Sequence, residues 1–320
     1  MGVTVNGLYE AEVHIENTSP ENRLPAIRTA LGLVLIKLTG NRFAPADDAL
    51  QPVLRRAESY LQEFSYPQDS VMRVRFNEPT LTNDLRDLGI AVWGNERPST
   101  LLWVVTGGMN QQEILGLDGD PEILSIIEQR VKRRGIVMVY PLLDLTDSMS
   151  LHPSDISGGF LQAIIDASRR YPADSILAGG VDSPAPGIWT AHWIAYINGE
   201  SFTWDAQGDI PAMVIDEGID GLADFLAARF IQTEITEQRE VSISIININN
   251  VDQYAQALKY LESLSFVTRV NVKSAVNGEI IFNLQSHGGC PALSKAINIG
   301  RRLEPLAGAD CERYRLLPEP

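Results

Sequence analysis

The chain has 320 residues, of which 44% are apolar and 21% charged, and its formal net charge at pH 7 is −15. This length exceeds what one hydrophobic core usually organises, so we expect several small domains. The negative charge disfavours contact with a phosphate backbone, and we predict no nucleic-acid partner. The longest apolar run, Leu31 to Ile36, is far shorter than the roughly 20 residues of a membrane-spanning helix, so no transmembrane segment is expected.

Residues 1–96 are predicted to form an N-terminal α/β domain. Apolar spacing predicts a strand over 8–15, a helix over 24–38, a second helix over 47–64, a strand over 71–76 and a short helix over 81–88. Gly40 is expected to end the first helix, because glycine readily adopts the left-handed conformation of a helix C-terminus. We interpret the polar stretch 95–98 as a linker.

Residues 97–237 are predicted to form a central α/β domain with a mixed sheet. The predicted elements are strands over 101–106, 136–140 and 175–181, helices over 121–134, 157–171 and 214–231, and a strand pair over 187–197 and 200–204. Strands that alternate with helices favour parallel neighbours. Asp120 is expected to cap the helix that follows it, and the Asn198-Gly199 pair predicts a tight hairpin, so the sheet ends in an antiparallel meander.

Residues 238–320 are predicted to form a third domain. The predicted elements are a strand over 241–248, a helix over 251–264, strands over 267–272 and 279–284, a helix over 291–299 and a last strand over 313–317. This βαββαβ order is typical of a ferredoxin-like module. The predicted fold class is therefore α/β (α+β), built from three small modules.

The usual signatures of a nucleotide or metal site are missing from the sequence. Neither the dinucleotide-binding glycine motif nor the P-loop motif occurs, so we predict no cofactor. The four histidines show no metal-binding spacing, and we predict no metal site; they are His14, His152, His192 and His287. On its alternating strand, His192 is flanked by Trp189 and Trp193, which favours a packed, hydrogen-bonded imidazole over a ligand.

Two cysteines, Cys290 and Cys311, lie near the C-terminus. If the chain is exported, a disulfide between them would contribute on the order of 3 kcal/mol in the loop-entropy model. Two buried, reduced thiols are the alternative. Both interpretations stay open at the level of the sequence.

The best catalytic candidate is Cys290 with His287, because a cysteine at a helix N-terminus has a lowered pKa and a nearby histidine can share its proton. A thiol-dependent hydrolase is therefore an alternative function. No third group completes the arrangement, and a disulfide to Cys311 would consume the thiol. We predict no catalytic residues and a protein that is not an enzyme.

Several phrases of the sequence are similar to a known bacterial family. They are Leu8–Val13, Arg28–Leu31, Val92–Pro98, Pro141–Leu145, Ala173–Gly179 and Gly218–Ala227. The chain resembles the family called domain of unknown function 2066, and this resemblance implies an exported protein without an assigned activity. The central domain also looks like the small α/β docking modules of the TolB N-terminal, LpoB and CsgG type.

The function expected from these observations is binding in the bacterial cell envelope. We predict a non-enzymatic, periplasmic protein whose surfaces dock a protein partner, the cell wall or an outer-membrane component. The start Met1-Gly2, followed at once by strand-like residues, favours a mature chain whose export signal has been replaced. A periplasmic small-molecule carrier that uses Trp189, Trp193 and Trp204 is a further alternative.

Overall fold

The computed structural model describes residues 2–107, 112–231, 239–264, 267–276, 278–286, 289–300, 302–306 and 313–318. Within these ranges the chain is an α+β protein with mixed and antiparallel sheets, as predicted. The chain divides into two compact units, Pro98–Leu226 and the combination of Gly2–Arg97 with Ala227–Pro320. The predicted boundaries near residues 97 and 238 stay a prediction.

The N-terminal part carries a three-stranded antiparallel sheet against a long helix. Its elements are β1 (Gly2–Thr4), β2 (Glu10–His14), α1 (Pro20–Thr39), α2 (Gln51–Arg55), β3 (Leu61–Gln68), β4 (Val71–Phe76) and α3 (Glu78–Asp87). The sheet order is β2-β4-β3. The first helix ends at Gly40 with φ of 64°, as predicted. Alternate residues of β4, among them Met72 and Val74, enter a core that α1 covers with Leu31 and Leu35.

The predicted helix over 47–64 is wrong. The segment instead forms 3-10 turns around the short helix α2, and Leu61 begins strand β3. Pro52 lacks the amide hydrogen that a helix begun at Asp47 requires in its second turn, so α2 begins only at Gln51 and holds Pro52 in its first turn. From Leu61 onward the chain pairs with β4, where Phe64 lies opposite Val74, so the sheet overrides the apparent helical spacing.

The predicted linker at 95–98 is also wrong. Glu96 begins strand β5 (Glu96–Thr106), and Arg97 is fully buried. The Arg97 guanidinium lies 4.1 Å from the ring centroid of Trp93 and donates to the backbone oxygen of Lys37 at 2.6 Å. A buried charge with these partners is structural, so the segment is part of a core.

The central unit has a mixed sheet that continues from β5. The remaining elements are β6 (Glu113–Ile114), α4 (Pro121–Arg134), β7 (Val137–Val139), α5 (Leu145–Ser150), α6 (Pro153–Ser157), α7 (Leu161–Ser168), β8 (Ser175–Ala185), β9 (Ile188–Ile197), β10 (Glu200–Gly208) and α8 (Pro211–Phe230). Strand β5 is parallel to β7 and β8, whereas β8, β9 and β10 form the predicted antiparallel meander.

Local signals in this unit act as the sequence predicts, with one exception. The Asp120 carboxylate accepts from the backbone N of Glu122 at 2.9 Å and caps α4. At the hairpin, Asn198 and Gly199 both have positive φ, which is the conformation that a tight two-residue turn requires. The predicted helix over 157–171 is shorter in the structure, where α7 covers only Leu161–Ser168, because Gly159 adopts φ of 69° and separates it from α6.

Helix α8 packs against the apolar side of the meander through Trp193. This indole is fully buried and donates its Nε1 hydrogen to the backbone oxygen of Val214 at 3.1 Å. Gly179 on β8 and Gly218 on α8 lie against the ring; an added Cβ at either position would come within 2.3 Å of it. The two glycines therefore permit the close approach of strand and helix.

Ion pairs around the buried residues Arg134 and Asp220 join α4 to α8. Arg130 lies 3.0 Å from Asp216 and 3.2 Å from Asp220, and Arg134 lies 2.5 Å from Asp224. On both helices these residues are four apart, so they form one ladder between two helix faces. No local pattern in the sequence predicts this contact, since the partners are about 90 positions apart in the chain.

The C-terminal part contains the predicted strand and helix order with one additional strand. Its elements are β11 (Arg239–Ile246), α9 (Val251–Ser263), β12 (Val267–Val276), β13 (Glu279–Ser286), α10 (Gly289–Gly300), β14 (Leu303–Pro305) and β15 (Arg313–Leu316). The sheet order is β12-β13-β11-β15-β14. The additional strand is β14, which forms a short antiparallel pair with β15 and so reverses the direction of the chain after α10. As a result, β15 runs parallel to its other neighbour, β11.

Candidate functional site

A cavity of about 630 Å³ lies on the outer face of the meander in the central unit. Strands β8, β9 and β10 form its floor, and Val105 and Ser157 contribute to its walls. The cavity size falls within the range of small-molecule sites in proteins. Helix α8 packs against the opposite, apolar face of the same strands, so this cavity opens away from Trp193.

The strand register explains why the cavity floor is polar. One row across the sheet pairs Gly180 with His192 and His192 with Asp205. The next row pairs Asp182 with Thr190 and Thr190 with Gln207. Directly paired residues of antiparallel strands point to the same face, so all six share the floor.

His192 and Asp205 form a hydrogen-bonded pair on this floor. The Nδ1 atom of His192 lies 2.7 Å from Oδ1 of Asp205, and the two side chains are 45% and 84% exposed. The hydrogen-bonded imidazole agrees with the prediction. The predicted packing of the imidazole is wrong, because its side chain is 45% exposed on the face of β9 that α8 does not cover.

Ser157, the last residue of α6, adds a hydroxyl to the wall. Its Oγ is buried and has no hydrogen-bond partner among the described residues. An added Cβ at Gly180 would lie 3.3 Å from this Oγ and 3.2 Å from the Ser157 Cα. The missing side chain of Gly180 therefore allows the end of α6 to lie directly against β8 beside the cavity.

Ser157, His192 and Asp205 are the residue types of a serine hydrolase, but their geometry favours binding over acyl transfer. The Ser157 hydroxyl does not hydrogen-bond to His192. The backbone N–H groups of Gly158 and Gly159 donate to Ser154 and Ile156, so these groups do not form an oxyanion hole. Asp205 is exposed, whereas the acid that orients a catalytic histidine is ordinarily buried.

A second polar cluster holds the loop before α5. Arg170 contacts Asp144 at 2.6 Å and Asp147 at 2.9 Å, and the Tyr171 hydroxyl donates to Asp147 at 2.5 Å. Hydrogen bonding to Arg170 lowers the pKa of the Asp144 carboxyl far below its usual range, and burial raises the pKa of Tyr171. These groups satisfy one another and stabilise Leu143 at φ of 52°, so their role is structural.

Two tryptophans of the predicted carrier site, Trp193 and Trp204, pack beneath α8. Trp204 stacks on Phe202 with ring centroids 5.3 Å apart and donates from Nε1 to the backbone oxygen of Glu217 at 3.2 Å. Phe202 also stacks on Phe225 of α8 at 5.7 Å. This aromatic cluster and the cavity therefore occupy opposite faces of the meander.

The predicted thiol site falls largely outside the described residues. Cys290 lies in the first turn of α10, half-buried against the C-terminal core. His287 and Cys311 lie outside the described ranges. Both the disulfide between Cys290 and Cys311 and the thiol-dependent hydrolase therefore stay predictions.

The polar floor was not predicted from the sequence, although the sequence contains one signal for it. A two-residue turn at Asn198-Gly199 places residue 197 opposite residue 200, and counting outward places His192 opposite Asp205. No local signal places Gly180 or Ser157 beside this pair, because β8 and α6 reach it through tertiary contacts.

The described residues contain neither a metal-binding cluster nor a membrane-spanning helix. No group of three or more metal-binding side chains occurs in the described part of the chain. None of the helices within the described ranges has the length and apolar character needed to span a bilayer.

Comparison with known proteins classifies only the N-terminal part of the chain. A family model described as a domain of unknown function (DUF8605) matches residues 2–94. These residues contain β1 to β4 and α1 to α3. No curated protein matches the chain. The part of the chain that holds the cavity lies beyond the matched segment.

Proposed function

We propose that the protein is a non-enzymatic binding protein of the bacterial cell envelope, and that its central unit holds a small polar molecule. The observation that carries this proposal is the cavity on the meander, with the His192–Asp205 pair on its floor and, in its wall, a Ser157 hydroxyl that has no partner in the described part of the chain. A pocket of this size with a few convergent polar groups is the usual form of a small-molecule site.

The free-energy cost of burying the Ser157 hydroxyl without a hydrogen bond favours ligand binding. A buried hydroxyl without a hydrogen bond costs roughly 1–3 kcal/mol, and a ligand that pairs with Ser157 would remove this cost. His192 and Asp205 are already paired, which fixes the orientation of the imidazole before a ligand arrives. The site is therefore largely preorganised for a polar ligand.

The test is a titration with a broad panel of small metabolites, monitored by the NMR signal of the His192 imidazole. We expect at least one compound to shift this signal in a saturable manner. Gly180→Val, whose side chain would displace Ser157 and α6 from the wall of the cavity, should abolish that response. Binding that persists unchanged in Gly180→Val, or no saturation by any compound, would contradict the proposal.

The envelope location is supported by the resemblance to domain of unknown function 2066 and to the TolB, LpoB and CsgG docking modules. Fractionation of cells that express the full native gene tests it, since we expect the protein in the periplasmic or envelope fraction. Mass spectrometry of unreduced peptides tests the Cys290–Cys311 disulfide. A cytosolic protein with two alkylated thiols would contradict both parts.

Docking of a protein partner is a second candidate function, favoured by exposed apolar residues around α5. Leu142, Leu145 and Met149 are 69%, 75% and 75% exposed. Arg170 and Asp144 hold this loop, so the apolar side chains are presented on an ordered segment. Crosslinking in the native host should yield an adduct between this protein and its partner. We expect Leu145→Glu to remove the adduct and Glu200→Gln, a control at an exposed position, to retain it. An adduct that Leu145→Glu does not affect would count against this surface.

A further inference from the structure

The charges of the cavity indicate which ligands it selects. The floor carries the carboxylates Asp182 and Asp205. Among the described residues that line the cavity, none is lysine or arginine. A ligand in this cavity therefore experiences two negative charges without a fixed positive charge beside them.

The neutral groups of the lining narrow the ligand class further. Ser157, Thr190 and Gln207 offer hydroxyl and amide groups for hydrogen bonds. No aromatic ring other than the His192 imidazole occurs among the described lining residues. An aromatic cage, which binds quaternary ammonium groups, is thus not built here, and carboxylates bind cations most strongly through N–H donors.

We propose that the cavity binds a small organic cation that carries N–H donors, a protonated amine or a guanidinium, between Asp182 and Asp205. This inference rests on the proposed small-molecule site and specifies its ligand class. One charged nitrogen meets Asp205 beside His192, a second N–H group meets Asp182, and hydrogen-bonding groups elsewhere on the ligand meet Ser157 or Thr190.

Three probes of different charge test this selectivity. The His192 imidazole signal, assigned by its loss in His192→Gln, is followed while agmatine, choline or glutarate is added at constant pH and ionic strength. Agmatine should saturate the signal shift. Choline has the charge but no N–H donor and should bind much more weakly, and the dicarboxylate glutarate should not saturate.

Variants of the two acids separate specific contacts from general attraction. Asp182→Asn and Asp205→Asn should each weaken agmatine binding roughly tenfold or more, because each removes a charged hydrogen-bond acceptor. Asp209→Asn makes the same change at an exposed acid outside the cavity and should leave the affinity unchanged. Both cavity acids are on the surface of the sheet, so these isosteric variants should fold.

The outcomes distinguish the inference from the proposed function. Equal affinities for agmatine and choline, or equal losses in Asp182→Asn and Asp209→Asn, overturn the inference. The inference is also overturned if a neutral or anionic compound saturates the His192 signal and agmatine does not. If Gly180→Val blocks binding of that neutral or anionic compound, the proposed small-molecule site still stands. If no compound of the broad panel saturates the His192 signal, both proposals fail.

Discussion

Replacing Gly218 with alanine tests the contact between α8 and the meander. In the middle of a helix this change ordinarily stabilises a protein by about 1 kcal/mol, because alanine has the higher helix propensity. Here an added Cβ would lie 2.3 Å from the Trp193 ring, far inside ordinary contact distance. The ring has no room to retreat, because Gly179 lies against the same indole and Val214 accepts its Nε1 hydrogen.

Overpacking in a filled core costs typically 1–3 kcal/mol, and the rigid surroundings of Trp193 place this site at the upper end. Subtracting the gain in helix propensity, we expect Gly218→Ala to destabilise the central unit by about 2 kcal/mol. The assay is urea unfolding followed by tryptophan fluorescence and circular dichroism. Ala228→Gly, at an exposed position of the same helix, reports the propensity difference alone.

Repeating Gly218→Ala in the Trp193→Leu variant separates the steric clash with the indole ring from other effects of the change. In Trp193→Leu the ring is removed, so the additional Gly218→Ala change should become neutral or slightly stabilising. The coupling energy of this double-mutant cycle should therefore reach about 2–3 kcal/mol. Stabilisation by Gly218→Ala in the wild-type background would refute the reasoning, because it would mean that α8 does not lie against Trp193.

Three further predictions concern charged and phenolic groups. Arg134→Met should lower the free energy of unfolding by about 3 kcal/mol in the same urea assay, because Asp220 and Asp224 lose a buried partner. Arg170 lowers the folded-state pKa of Asp144, so acid titration followed by circular dichroism should show that stability is lost as the pH falls below about 4. Asp144→Asn should make stability less dependent on pH in this range. An unchanged pH profile in this variant would contradict the prediction. Burial raises the pKa of both Tyr9 and Tyr60 to about 12, so absorbance titration at 295 nm should show a late-titrating component that loses the amplitude of one tyrosine in Tyr9→Phe; an unchanged amplitude would contradict this.

Local signals in the sequence predicted those elements that depend on near neighbours. Asp120 caps α4 because its carboxylate needs only the N–H groups two and three residues ahead. The turn at Asn198-Gly199 forms because few other residues adopt positive φ easily. Where a distant strand competes with local preference, as at Leu61 beside β4, the prediction failed.

The candidate site shows the same division. The hairpin turn contains the information that pairs His192 with Asp205, because the register of a two-residue loop determines every pair along both strands. Ser157 reaches this pair only because α6 lies over Gly180, and neither residue carries a local mark of that contact.

By itself, the sequence determined the α+β class, most helices and strands, and the acidic character of the molecule, because spacing, caps and turns act over a few residues. Only the tertiary structure decided which polar side chains meet: the cavity above β8–β10, the ladder between α4 and α8, and the burial of Arg97. These contacts join residues that are far apart in the chain, and their free energy depends on burial and strand order, which no short segment encodes.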